Sequence, residues 1–361
     1  KKIFKYIAIL LIIVIAYFVI TTYPKLDIIS GFAAKSITSH YFIGHRDIEY
    51  TEAEDNLVPT MGMASSELLV SEKRTNSNVF GFKERTAFYR DGVGAVLIPS
   101  DKNRENACLA KPNRNAIPTN LAYPYGDLPQ KDTVFQNIDY KKLNEVINNA
   151  FVDKDGIEKQ TRSALVIYKG QIIEEQYING FDKKSMILGW SMAKSITSAV
   201  IGVMVKEKKV SLSQINLFDE WVDDSRKNIT LANLLNMNSG LEWEENYTKI
   251  CDATKMLFLE ENMTRSQLIK PLIGEPNNSW NYSSGTSNLL SGFIRNQFPT
   301  HQDYLDYWYE KVIDKIGMNS MLIETDFDGN YVGSSYAWAT TRDWAKFGLL
   351  YLYQGNWNGV Q

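Results

Sequence analysis

An α+β fold is predicted by three features of this 361-residue chain. Ala164 to Tyr168, a Lys169-Gly170 turn and Gln171 to Tyr177 read as two antiparallel strands joined by a tight turn. Helical patterning then dominates from Ser191 to Phe298. No period of roughly 20 to 50 residues recurs, which excludes a solenoid or other repeat architecture.

Before the hairpin, Leu143, Val146, Ile147 and Ala150 recur at helical spacing and predict a helix over Tyr140 to Ala150. After it, Gly189 to Val205 is small and apolar, as a buried helix needs, and Ser191 falls at the mouth of that helix. Composition sets the outer limits. With 44% hydrophobic and 22% charged residues the chain can bury a sizeable core. A net charge of −3 with no basic stripe argues against a nucleic-acid partner.

The sharpest chemical signal is Ser191-Met192-Ala193-Lys194. Residues three apart on a helix share a face, so the Lys194 amine can come back to the Ser191 hydroxyl. A serine is a weak nucleophile until a neighbour takes its proton, and a lysine does so only when its own pKa is lowered. Apolar Trp190, Met192, Ala193 and Ile196 would supply that lowering. The helix N-terminus adds N–H groups for a developing oxyanion. No other lysine of the chain has a serine three residues before it.

A second candidate lies at Ser279 to Leu290, where a Pro/Asn-rich loop becomes a small-residue turn and then an apolar run, presenting Tyr282 at a cleft. Together with S-x-x-K, this stretch resembles the second, tyrosine-containing motif of the serine β-lactamase and penicillin-binding-protein superfamily. More narrowly it is similar to class C β-lactamases, family VIII esterases and 6-aminohexanoate-oligomer hydrolases. Three further stretches fit in order: Ser163 to Phe181, Ile229 to Trp243 and Ala337 to Trp357.

The resemblance implies a β-lactamase/transpeptidase-like fold, an antiparallel sheet flanked by helices with a mainly helical subdomain. It also implies an acyl-enzyme route, with Ser191 as nucleophile, Lys194 as base and Tyr282 as proton relay. Where many relatives read Tyr-x-Asn this chain reads Tyr282-Ser283-Ser284, so a hydroxyl stands in the amide's place. Ser284, Trp243 and Tyr247 are expected to contact substrate. No metal or organic cofactor is implied. The expected partner is a small amide, ester or peptide. The family's third motif, K-[ST]-G or H-x-G, does not occur in the sequence. The chain also begins without methionine, and both features suggest a piece of a longer protein. The alternative reading is a membrane-tethered binding or regulatory protein of the same fold without turnover.

Lys1, Lys2 and Lys5 precede an uncharged run from Tyr6 to Tyr23, closed by Pro24. Such a segment reads as a membrane anchor or signal segment over residues 1–24, the uncleaved anchor being preferred, with the remainder of the chain exported. Residues 25–136 read as an irregular leader packed on the catalytic domain, which is assigned to residues 137–361 and expected to be C-terminally incomplete.

Other candidates are set aside. Cys108 and Cys251 lack metal-site spacing and fit either one disulfide or two thiols. His40, His45 and His301 have no serine or carboxylate partner in sequence, which disfavours a Ser-His-Asp site. Glu242, Glu244 and Glu245 read as solvated loop acids.

Overall fold

The computed structural model describes residues 2–115, 120–126 and 128–361. Its first element is one continuous helix, α1 (Lys2–Phe42), with Pro24 inside it. Proline costs the helix one backbone hydrogen bond but does not stop it here, so α1 runs on past the end of the 1–24 segment. The two halves of α1 differ in surroundings. Phe4, Ile7, Leu10, Ile12, Ile13 and Ile20 are exposed, whereas Ile28, Ile29, Ala33, Ala34 and Ile37 are buried. Among the described residues, no helix is long and apolar enough to cross a membrane. Lys1 of the basic triplet lies outside the described residues.

The stretch expected to be irregular instead forms an antiparallel sheet in the order β1 (Ala64–Leu69), β2 (Arg74–Val79), β3 (Phe82–Arg90), β4 (Gly94–Leu97). Its strands hide from a hydrophobicity reading because their inward positions are partly polar. In β2 the buried residues are Thr75, Ser77 and Val79. Thr38 of α1 satisfies one of them, its hydroxyl donating to Thr75 Oγ1 at 2.9 Å. A buried polar group with a partner costs little, so the period-two pattern survives without apolar side chains.

One ionic cluster ties α1 and this sheet to the later part of the chain. Glu324, fully buried, accepts from Lys35 Nζ at 2.9 Å, Ala95 N at 2.6 Å and Trp338 Nε1 at 2.9 Å. Lys35 also donates to Ser39 Oγ at 2.8 Å and lies 3.9 Å from the centre of the Tyr336 ring. Burial pushes the Lys35 amine below its ordinary pKa, and Glu324 opposes that shift. Gly94 is required beside the carboxylate: at φ +69° a side chain is strained, and a Cβ would fall 2.5 Å from Glu324.

The second part opens with α2 (Tyr140–Phe151), capped by Asp139, whose carboxylate accepts from Lys142 N. The expected hairpin follows as β5 (Ser163–Tyr168) and β6 (Gln171–Tyr177), with Lys169 and Gly170 both at positive φ in the turn. A three-stranded antiparallel sheet has the order β7 (Met186–Leu188), β9 (Ala337–Thr340), β8 (Leu322–Ile323). The strands therefore fall into separate antiparallel sheets rather than one. Helix α3 (Met192–Lys206) buries Ala193, Ile196, Thr197, Val200, Ile201 and Met204, a repeating three-and-four spacing along one face. Around it stand α4 (Leu231–Leu235), α5 (Asp252–Phe258), α6 (Met263–Leu268), α7 (Ser284–Arg295), α8 (His301–Trp308) and α9 (Thr341–Leu352). Their shared core includes Ile196, Trp221, Phe293, Trp308 and Tyr331. Cys108 and Cys251 are free thiols.

Candidate active site

The site is built where β7 turns into α3. Gly189 N extends the β7–β9 pairing by donating to Ala337 O at 2.8 Å, and Trp190 then adopts φ +43°. A bulky residue at positive φ is strained, and the turn it makes sets Ser191 at the helix N-cap. Only glycine fits at 189, since a Cβ would lie 2.2 Å from the Trp344 ring.

The N–H groups of Met192, Ala193 and Lys194 are spent on the carbonyls of Gly189, Trp190 and Ser191. Among the described residues the N–H of Ser191 takes no acceptor in the chain. The free donor expected of the helix terminus is therefore that of Ser191 itself.

Lys194 returns to Ser191 as its spacing requires, with Nζ 3.1 Å from Ser191 Oγ. Two further partners hold the amine: Ser284 Oγ at 3.1 Å and the Ser334 carbonyl at 2.9 Å. The carbonyl is presented by the segment before β9, which Thr197 Oγ1 anchors through Gly333 O at 3.0 Å. Burial pushes the Lys194 amine below its ordinary value, while Tyr282 and Glu245 hold it up. Desolvation is the larger cause, so the direction suits a base.

Tyr282 stands beside the amine, Nζ lying 4.9 Å from its ring centre. Its segment is fixed on both sides. Asn281 N donates to Met237 O at 2.8 Å and Asn281 Nδ2 to Trp243 O at 3.1 Å, while Ser283 caps α7 by accepting from Thr286 N. Trp190, Met192, Tyr247, Trp280 and Tyr282 are all exposed, and the Trp280 and Tyr282 rings lie 6.1 Å apart.

Two expected substrate contacts are placed differently. Ser284 is 1% exposed and lies behind Lys194, so its hydroxyl meets the amine rather than a ligand. Trp243 is buried under the Gly285 turn, where a Cβ would come within 2.5 Å of its ring, and it supports the site from below. Tyr247 remains exposed and donates to Glu245 Oε1 at 2.8 Å.

Glu245 is the residue that sequence reasoning passed over. Its carboxylate accepts from Ser284 Oγ at 2.6 Å, Ser284 N at 2.7 Å and Trp243 Nε1 at 2.8 Å. It is thus a fixed acceptor one hydroxyl removed from Lys194, not a solvated loop acid. No local pattern marks it, since residues 242–246 form a loop rather than a strand and only folding brings Ser284 to its carboxylate. Glu244 does pair outward, with Lys249.

The histidines lie elsewhere. His40 meets Asp55 at 3.2 Å, His301 meets Arg295 and Cys108, and His45 is exposed. Among the described residues, no cluster of His, Cys, Asp and Glu could hold a metal ion.

The chain belongs to the Beta-lactamase family, whose model matches residues 151–359. Among solved structures it is similar to a Bacillus anthracis protein assigned as a 6-aminohexanoate-dimer hydrolase. Their identity is 22% and the TM-score 0.50, covering 60% of this chain and 58% of that one. It is also similar to a Bacteroides dorei protein assigned as a β-lactamase, at 14% identity and TM-score 0.47, covering 60% and 64%. D-amino acid amidase from Ochrobactrum anthropi matches at 16% identity and TM-score 0.43, covering 59% and 70%. The likeness to the first of these is one of fold, and the chain spans less than two thirds of the first two. A comparison with curated proteins returned no match.

Proposed function

We propose that this protein is a serine hydrolase that cleaves an amide or ester through an acyl-Ser191 intermediate. The observation that carries the reading is the 3.1 Å approach of the desolvated Lys194 amine to Ser191 Oγ. Ser191 Oγ bonds to the substrate carbonyl carbon as its proton passes to Lys194, and the Ser191 N–H faces the resulting oxyanion. The C–N or C–O bond then breaks while the leaving group takes a proton relayed from Lys194 through Tyr282. Water attacks the acyl group, giving its proton to the same pair, which passes it to Ser191 Oγ as the acyl C–O bond breaks, so that the acid product and the free serine are released.

The exposed rings of Trp190, Tyr247, Trp280 and Tyr282 suit a substrate with an apolar body around the scissile bond. Short amide oligomers and small esters fit that wall. A fluorophosphonate, which needs only an activated serine, should label the protein, and Ser191→Ala should abolish labelling without changing the circular dichroism spectrum. Undiminished labelling of that variant would sink the assignment.

We infer, too, that the domain works outside the cytoplasm, held by the apolar half of α1. Phe4, Ile7, Leu10, Ile12, Ile13 and Ile20 are unfavourable in water, and Lys2 and Lys5 at the open end match the cytoplasmic side. Cell fractionation checks this: the domain is expected in the membrane pellet and open to external protease. Recovery in the soluble cytoplasmic fraction would contradict it.

A further inference from the structure

We propose that Glu245, acting through the Ser284 hydroxyl, is a positioning residue that aims the proton-accepting face of Lys194 at Ser191. The inference rests on the reading of Ser191 as nucleophile and Lys194 as base.

A carboxylate can only accept hydrogen bonds. Glu245 receives the hydroxyl of Ser284 at 2.6 Å, so the one proton of that hydroxyl is committed and its oxygen is left to accept. Ser284 cannot turn away, because its backbone N–H donates to the other oxygen of the same carboxylate at 2.7 Å. Trp243 Nε1 and Tyr247 OH, at 2.8 Å each, fix the carboxylate in turn. Trp243 is buried and its indole N–H is a donor only, so neither end of this arrangement can reverse.

The consequence falls on the amine as it loses a proton. Lys194 Nζ faces Ser284 Oγ, the Ser334 carbonyl and Ser191 Oγ. A carbonyl accepts only, and Ser284 is made to accept by Glu245. A neutral amine has two N–H bonds, and both are claimed. The lone pair is thereby left on the remaining side, which the Ser191 hydroxyl shares with the Tyr282 side chain, itself a hydrogen-bonding partner of the amine. Without Glu245 the Ser284 hydroxyl could donate to the lone pair itself and occupy it.

The charged and titratable groups acting on the amine come from two elements. Glu245, with Tyr247 hydrogen-bonded to it, stands on the loop after α4, and Tyr282 stands before α7. From the segment leading into β9, Lys194 receives the neutral Ser334 carbonyl, and the nearby Tyr336 is buried. Glu245 raises the Lys194 pKa through its charge, so its removal should shift the pH profile as well as the rate.

The test is the second-order rate of fluorophosphonate labelling against pH for wild type, Glu245→Gln, Ser284→Ala and the double variant, each with its melting temperature. In Glu245→Gln the plateau is expected to fall about 100-fold, the lower end of what a positioned base contributes, and the rising limb to move to lower pH. Ser284→Ala keeps the charge, so its plateau should fall while the limb stays near that of wild type. The plateau of the double variant should be no lower than that of Ser284→Ala, because Glu245 orients the amine only through that hydroxyl, while its limb moves as in Glu245→Gln with the loss of the charge. A merely structural role would lower the melting temperature and leave the limb in place.

A wild-type plateau and limb in Glu245→Gln would overturn the inference, as would effects that multiply in the double variant. Should Glu245→Gln fail to fold, an undiminished plateau in Ser284→Ala overturns it alone. Absence of wild-type labelling at Ser191 would instead overturn the hydrolase reading on which it stands.

Discussion

Lys194→Ala is expected to slow acylation of Ser191 by about 1,000-fold or more, within the range for a lost general base. Lys194→Arg should be no better, although it restores a positive charge of similar reach. Guanidinium does not deprotonate at any working pH, so it can hold the site electrostatically but cannot accept the serine proton. In the wild type the labelling rate should rise with pH through an apparent pKa below the ordinary lysine value of 10.5, since burial disfavours the charged amine. Protonation below that pKa removes the base, which gives the sign of the limb. Stopped-flow or quenched labelling over a pH series checks both points. Near-normal rates in Lys194→Arg would reduce Lys194 to a fixed charge.

Glu324→Ala is expected to destabilise the fold by about 3–5 kcal/mol, the usual loss when one partner of a buried pair is removed. Lys35 would be left 5% exposed without its counter-charge. Ala95 N and Trp338 Nε1 would also lose their acceptor. For the same reason Lys35→Met combined with Glu324→Leu should not recover wild-type stability: the ion pair disappears, but three buried donors, Ala95 N, Trp338 Nε1 and Ser39 Oγ, lose their acceptor. Chemical denaturation monitored by tryptophan fluorescence measures the change. A midpoint in Glu324→Ala close to wild type would show that α1 and the N-terminal sheet are not held by this carboxylate.

The parts of the fold and site that were legible in the sequence depend on near neighbours. Ser191 and Lys194 share a helix face, and Lys169-Gly170 makes a turn between two apolar runs, so a local period carries each inference. Glu245 was not legible as functional because Glu242, Glu244 and Glu245 look alike in a row. What distinguishes Glu245 is Ser284, which folding brings to it. Ser284 itself was read as facing substrate, since a serine at a loop-to-helix junction carries no mark of burial.

The N-terminal sheet escaped notice for a different reason. Thr75 and Ser77 occupy buried positions where an alternation rule looks for apolar side chains, and their compensation by α1 cannot be seen in β2 alone. The boundary set at residue 24 likewise falls inside α1, because the end of an uncharged run does not mark the end of a helix whose turns continue on both sides of Pro24.

The central claim is that Ser191 is the activated nucleophile, and mapping the adduct tests it most directly. The fluorophosphonate-labelled protein would be digested and its modified peptide sequenced by tandem mass spectrometry. The expected result is a single adduct on Ser191, formed in proportion to the loss of labelling capacity. An adduct on Ser195, on Ser284 or on another residue, or an unmodified Ser191 peptide after prolonged exposure, would contradict it.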